Sequence, residues 1–395
     1  MLKYLRGDKM INFTYSSPTI IHFGENQIDK LLEELQTRNV KNLLFVYGKT
    51  AVKKLGIYEK VLEVTSKLGI KLVEESGVRP NPDITSVYSG IEKCKENNID
   101  FIFAAGGGSV VDCAKAIGLG YYYDGDAWDL YVKKGLPGKS LPIGCAITLA
   151  ATGTETNGNS VISNDAVGEK RSVASKSSVP VFAIIDPTYT LSVNHHFTVA
   201  GSIDIIMHIL EQYFSNTEDT ETSDLMSIGV LKSVIENTNW LLNGKNTYQK
   251  RANISWASTI GLNWILGVDK VGDWATHRLS YPITKEYGVS HGNALALIFS
   301  SWMKTALKYN PVTMKWRLGL LATELFGGIE YNEVPDALDK IFKEWGASTS
   351  FKDEGITLTD NDINLLVDNA LALGNVGTVV DVNKEIAKEI FIKAR

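Results

Sequence analysis

Asp204 and His208 stand four residues apart in VAGSIDIIMHILEQYF, and His277 (GDWATHRL) and His291 (YGVSHGNALAL) follow downstream. In the first segment apolar residues recur at helical spacing, so positions i and i+4 project from one helix face, a turn apart. A carboxylate and an imidazole placed that way can share one cation. Ser290, just before an apolar run, reads as a helix N-cap that puts His291 in the first turn. One carboxylate and three imidazoles suit iron(II) or zinc, and also cobalt or nickel, while the scarcity of thiols argues against a structural zinc knuckle. An isolated Asp-x3-His pair is more often an ordinary surface or core pair. The metal reading therefore leans on the features that follow.

A chain of 395 residues is long enough for two domains, each with its own core. Charged residues make up 22% and hydrophobic ones 44%, the profile of a globular chain and not of a disordered or membrane-spanning one. The net charge is −5 with no strong run of Lys or Arg, which excludes the electrostatic footprint of a nucleic-acid binder. No membrane partner is expected either. Cys94, Cys113 and Cys145 are odd in number, sit in apolar or helical surroundings and read as reduced thiols of a cytoplasmic protein. The first nine residues, MLKYLRGDK, are too short and too polar for a signal peptide and read as a flexible tail.

From residue 10 to 187 short β-branched runs alternate with amphipathic segments. The runs are 43–48, 71–75, 101–106, 143–148 and 181–186, and helical segments near 26–37, 50–68, 83–97 and 109–119 separate the first four. Alternation of that kind predicts an α/β domain with a mostly parallel sheet. Asp186-Pro187 ends the last strand, since proline has no amide hydrogen to donate, and a domain boundary is expected there. From 188 to 395 helical periods dominate, at 197–214, 222–242, 248–268, 291–307, 312–325, 334–345, 360–372 and 380–394, so the second domain is expected to be all-α. A cleft between a nucleotide-binding domain and a metal-holding domain would suit two reactants.

The segment FIFAAGGGSVVDCAKAI ends a strand on Gly106, Gly107 and Gly108 and opens a helix at Ser109. Glycines admit a pyrophosphate close to the backbone, and the free amides and positive end of the helix attract it. The pattern is neither GxGxxG nor the P-loop consensus, so a mononucleotide or a plain tight turn stays open. After the first strong strand comes Gly48-Lys49-Thr50, with Lys53 beyond. An acid at such a strand end would bind the adenosine ribose and repel a 2′-phosphate. None is present, and the lysines offer positive charge, so NADP(H) is favoured over NAD(H). The alternative is that both lysines simply face solvent.

The metal quartet and GGGSVVDCAK together make the sequence resemble the iron-containing (group III) alcohol dehydrogenase family, in its NADPH-dependent butanol dehydrogenase and aldehyde reductase branch. The likeness runs through GVRPNPD, TLAATGTETN, FAIIDP, IDIIMHILEQY, GDWATH and VSHG, over nearly the whole chain. It implies a dehydroquinate synthase-like architecture and the ligands Asp204, His208, His277 and His291, with Fe2+ ahead of Zn2+. It also implies cofactor contacts at Gly48, Lys49, Thr50, Asn81, Gly106, Gly107, Gly108, Ser109, Asp112, Thr148, Leu149, Thr152, Asn157, Asn159, Val161, Lys170 and Tyr189. NAD-preferring relatives carry aspartate where this chain has Gly48. The implied reaction passes a hydride between NADP(H) and a small aldehyde or primary alcohol, and the implied assembly is a homodimer.

One departure concerns the stretch after His277. Many relatives carry a second histidine four residues on, in an H-x3-H-E-L pattern, whereas this chain reads THRLSYPITKEYG with Tyr281 and Pro282. Proline is expected to interrupt the helix there. In the family that histidine has a proton-relay or substrate-facing role; Tyr281 either relays a proton beside His277 in its place or merely packs, and water or a cofactor ribose hydroxyl are the other sources of the proton. Trp264 and Trp274 lie close in sequence to the ligands and could line an apolar pocket, and Glu211 shares a helix face with Asp204 and His208. The competing readings are a glycerol dehydrogenase-like polyol oxidoreductase, for which Arg278 is one of few polar anchors, and a cofactor-binding protein whose catalysis weakened with the missing histidine.

Overall fold

The computed structural model describes residues 10–132, 135 and 138–395; the segment 1–9, read as a tail, lies outside the described residues. The chain divides into two compact units. One comprises residues 16–193 and 246–259, and the other residues 10–15, 194–245 and 260–395.

In the first unit the chain runs β1 (Ile20–Phe23), α1 (Lys30–Thr37), β2 (Asn42–Tyr47), α2 (Ala51–Lys54), α3 (Ile57–Leu68), β3 (Lys71–Glu75), α4 (Ile84–Glu96), β4 (Phe101–Gly106) and α5 (Gly108–Gly120). It continues through β5 (Ile143–Ile147), the hairpin β6 (Asn159–Asn164) and β7 (Glu169–Ala174), and β8 (Phe182–Ile185). Six strands form a wholly parallel sheet in the order β1-β8-β5-β4-β2-β3. Successive residues of β2 and β4 feed opposite faces. Leu44, Val46, Ile102 and Ala104 join one core with Val87, Val111 and Ile117 of α4 and α5. Leu43, Phe45, Phe101 and Phe103 join the other with Leu31, Leu35, Val61 and Val64 of α1 and α3. Burial on both faces explains why these strands read as unbroken apolar runs. From β2 the chain leaves to β3 on one side, while β4 and β5 lie on the other. The carboxyl ends of β2 and β4 therefore flank a topological switch point, the place where open parallel sheets receive ligands.

The second unit is helical: α6 (His195–Tyr213), α7 (Glu221–Leu242), the end of α8 (Tyr248–Gly261), α9 (Ala275–Tyr287), α10 (His291–Tyr309), α11 (Pro311–Glu324), α12 (Val334–Glu344), α13 (Asp360–Ala370) and α14 (Lys384–Ala394). α6 and α10 are buried nearly all round, so they form the centre of the unit. α6 packs on α7 and α10, and α10 also receives α9, α12 and α14. Among the described residues no helix is long and apolar enough to cross a membrane.

Two helical expectations need correction. The segment expected to be helical over 248–268 stops at Gly261, because Trp264 adopts a left-handed backbone (φ 72°) and a short 3-10 turn, Ile265–Gly267, follows. Pro282, expected to interrupt its helix, lies inside a continuous α9. The bond that Pro282 cannot donate is outweighed by packing, since Tyr281, Pro282 and Ile283 are all buried and α9 packs on both α10 and α13.

Candidate functional site

α6 presents Asp204 and His208 one turn apart, α9 contributes His277, and His291 is the first residue of α10. Two glycines let the starts of α9 and α10 reach the α6 backbone. A Cβ on Gly272 would lie 2.6 Å from the carbonyl oxygen of Glu211, and one on Gly292 would lie 2.0 Å from that of Ala200. Ser290 does occupy the N-cap position of α10, but its side chain makes no cap hydrogen bond. Its extended backbone alone (φ −60°, ψ 151°) turns the chain into the helix.

The Nε2 atoms of His208, His277 and His291 lie 3.8, 3.9 and 3.7 Å from Asp204 Oδ1. Asp204, His277 and His291 form the tighter group, each with a ligand atom within 4.8 Å of the others. His208 stands at its margin, its ring near-parallel to that of His277 at 4.7 Å. The separations are too long for hydrogen bonds, and buried Asp204 Oδ1 accepts none among the described residues. Two ligands about 2.1 Å from one tetrahedral cation sit roughly 3.4 Å apart, so a small inward movement would close the four side chains on a single ion. The donor set fits a divalent metal.

A second layer holds the histidines. Glu211, 2% exposed, accepts the His277 backbone N–H at 3.0 Å through Oε1, which also lies 3.5 Å from His277 Nδ1. Burial pushes the Glu211 carboxyl up to about 8. Asp273, which carries no signal in the sequence beyond its place in GDWATH, ties the start of α9 to a later segment. It accepts the N–H groups of Ala275 (3.1 Å), Thr378 (2.8 Å) and Val379 (2.8 Å). Burial first, and the neighbouring Glu211 second, raise its carboxyl to about 7. Trp274 stands edge-on to His277 at 5.3 Å, and the Tyr281 ring lies 5.9 Å from that of His291.

In the sheet unit, Gly48, Lys49 and Thr50 follow β2, and Gly106 to Ser109 join β4 to α5. Gly48 O accepts from Gly77 N, leading to Asn81, whose backbone is left-handed (φ 52°) and whose Oδ1 accepts from Lys170 Nζ at 3.0 Å. Thr148 N donates to Gly106 O at 2.9 Å, and Leu149 and Thr152 lie against Gly107 and Gly108. Asp112 is engaged within the protein, its Oδ1 accepting from Thr154 Oγ1 at 2.7 Å and its Oδ2 from Val161 N at 2.9 Å. Asn157 Oδ1 accepts from Asn159 N, and Tyr189 packs in the same apolar cluster as Tyr47 and Val52. Most candidate cofactor residues thus form two neighbourhoods, around the β4–α5 loop and around Asn81.

Sequence reasoning missed Lys115. Fully buried, it donates to Thr154 O (2.6 Å), Thr154 Oγ1 (2.6 Å) and Asn159 O (2.8 Å), and fastens the segment carrying Thr152, Asn157 and Asn159 to α5. Burial depresses its ammonium to about 8. A lysine three residues after Asp112, in the buried run that follows GGGS, was the available signal.

Residues 18–187 match the family described as iron-containing alcohol dehydrogenase, and residues 198–394 match the C-terminal domain of the Fe-containing alcohol dehydrogenase family. The chain belongs to the iron-containing alcohol dehydrogenase family. It is similar to the probable NADH-dependent butanol dehydrogenase 1 of Bacillus subtilis (strain 168), with 39% identity over 95% of this chain and 97% of that one. Similarity to the NADPH-dependent aldehyde reductase of Escherichia coli (strain K12) is 30% identity over 98% and 100%. The crystal structure of NADH-dependent butanol dehydrogenase A from Thermotoga maritima superposes with a TM-score of 0.92 at 36% identity, covering 98% of this chain and 99% of that one. The protein is an oxidoreductase of this family, which uses a nicotinamide cofactor and iron on small alcohols and aldehydes.

Proposed function

We propose that the chain interconverts small aldehydes and primary alcohols of butanal and butanol type, using NADP(H) and a divalent metal, with iron(II) ahead of zinc. The observation that carries the reading is the buried Asp204 Oδ1, without a hydrogen bond among the described residues and ringed by three imidazole nitrogens at 3.7 to 3.9 Å. When bound, the metal polarises a carbonyl as a Lewis acid and the nicotinamide supplies the hydride. Asp204, His208, His277 and His291 would hold the ion. Glu211 fixes the His277 ring. Tyr281, whose ring lies 5.9 Å from that of His291, would supply the proton to the product oxygen in place of the family histidine.

The preference for NADP(H) rests on this chain's residues, since its relatives differ in the cofactor they are named for. Gly48 presents no carboxylate, and Lys49 and Lys53 are exposed where a 2′-phosphate would need a cation. Glu74 on β3 is committed to the hydroxyls of Tyr47 and Tyr58. A homodimer in the cytoplasm completes the reading, consistent with three buried free thiols. The test is metal analysis combined with NADPH and NADH oxidation on C3 to C6 aldehydes. Metal-dependent turnover with NADPH preferred supports the reading, metal without turnover marks a cofactor-binding protein, and a preference for glycerol marks a polyol enzyme.

A further inference from the structure

Two tryptophans of the helical unit hold backbone conformations that side chains of their size rarely adopt. Trp264 (φ 72°, ψ −1°) and Trp274 (φ 63°, ψ 11°) both lie in the left-handed region, each just before a helical turn that its side chain does not cap. Glycine or asparagine would sit there with less strain. The helix-end hydrogen bonds there, Gly267 N to Trp264 O at 3.2 Å and Arg278 N to Trp274 O at 3.5 Å, are made by main-chain carbonyls that any residue would supply, so the indole side chains gain nothing from the local turns. What the conformations achieve is the placement of two rings. Trp274 stands 5.3 Å from His277 and 6.3 Å from His208, and Trp264 stands 5.7 Å from Trp274. Trp264 is 38% exposed, so the aromatic series starts at two candidate metal ligands and ends in solvent. Strained conformations persist where the surrounding structure enforces them, and they concentrate at sites that bind or react.

We infer that Trp264 and Trp274 form an apolar wall that receives the hydrocarbon tail of the substrate and makes chain length a determinant of specificity. This rests on the proposed aldehyde chemistry at the histidine cluster. Indole faces gain from contact with methylenes, whereas hydroxyls laid on them lose water without finding an equal partner. The wall therefore selects unbranched aliphatic aldehydes over polyhydroxylated ones of the same length.

The experiment measures kcat/KM of the metal-loaded enzyme for propanal through hexanal and for glyceraldehyde, in the wild type and in Trp264→Ala, Trp264→Phe and Trp264→Gly. Burying one methylene corresponds to roughly a fourfold gain, so the wild-type value is expected to climb by about that factor per carbon. Trp264→Phe should keep a shallower climb, and Trp264→Ala should flatten it and narrow the margin over glyceraldehyde. Trp264→Gly separates specificity from structure: the backbone strain is relieved, so the melting temperature holds or rises while the climb is lost. An unchanged climb in the Ala and Gly variants of an active enzyme overturns the wall and leaves the aldehyde chemistry standing. No turnover of any aldehyde by the wild type overturns the chemistry and the wall together.

Discussion

Glu211→Gln tests the geometry of the histidine cluster without touching a ligand. Glu211 Oε1 lies 3.0 Å from the His277 backbone nitrogen and 3.5 Å from its Nδ1, while Oε2 accepts no hydrogen bond among the described residues. Glutamine keeps the length and an acceptor for the backbone N–H, so the loss is confined to the charge facing the ring. At 3.5 Å and an effective dielectric of about 20, that charge interacts with a cationic ring system by about 4–5 kcal/mol before desolvation. Most of this is offset, and carboxylates behind metal-binding histidines contribute roughly 10- to 100-fold in metal affinity, about 1.4–2.7 kcal/mol. Stability of the metal-free protein should change little near neutral pH. Burial pushes the Glu211 carboxyl up to about 8, so it is already uncharged there and the amide replaces one neutral group with another; the melting temperature should hold, and exceed that of the wild type only above about pH 8, where the wild type must bury the charge. Equilibrium dialysis against chelator-buffered zinc or iron(II) gives the affinity, and calorimetry of chelator-treated protein gives the stability. Wild-type affinity in the variant refutes the argument, as does a fall in affinity that tracks a fall in melting temperature.

His277→Ala should remove the metal and turnover while leaving NADPH affinity, read by fluorescence titration, within about twofold, because cofactor and metal groups reside on separate elements. Gly48→Asp should lower the NADPH-to-NADH ratio of kcat/KM by at least about tenfold through like-charge repulsion of a 2′-phosphate. A Cβ at position 48 would lie 3.5 Å from Val78 O, an ordinary contact, so the fold should accept the change, and an unaltered ratio would count against the NADP(H) assignment. Asp273 governs a pH dependence in the metal-free protein. Its folded carboxyl is raised to about 7, chiefly by burial, well above the ordinary aspartate value, so its contribution is complete below about pH 4 and is lost as pH rises through about 7. Melting temperature should fall across that window and fall less in Asp273→Asn.

The central strands were legible because both faces of β2, β4, β5 and β8 are buried, which writes them as continuous apolar runs. The hairpin β6–β7 was not, since NSVISN and EKRSVA mix polar and apolar residues without the alternation of a half-buried strand. β1 escaped notice because four residues carry too little pattern. α9 was expected but read as broken, because of its proline. The histidine quartet could be picked out because only six histidines compete for the role. Of its support, Glu211 could be suggested from its helix face, but neither its partner nor Asp273 could. Glu211 meets His277 across 66 residues and Asp273 meets Thr378 across 105, and those pairings exist only once helices pack. The same holds for the segment 246–259, which groups with the sheet unit although helical period alone joins it to its neighbours.

The stretch THRLSYP separates two questions that the sequence ran together. A broken helix at Pro282 would have displaced Tyr281 from His277 and put the metal shell and the proton path in doubt at once. α9 instead runs unbroken from Ala275 to Tyr287, so residues 277 and 281 stay one turn apart on one face, and the Tyr281 ring lies 5.9 Å from that of His291. The departure from the family pattern thus changes the chemical group at a preserved position. An imidazole titrates near neutral pH and a phenol near 10, so the substitution acts on how readily a proton moves and leaves the Asp204, His277 and His291 group untouched. On the proposed role of Tyr281, a deficit in turnover relative to histidine-bearing relatives is expected to appear in proton delivery while metal content stays unaltered.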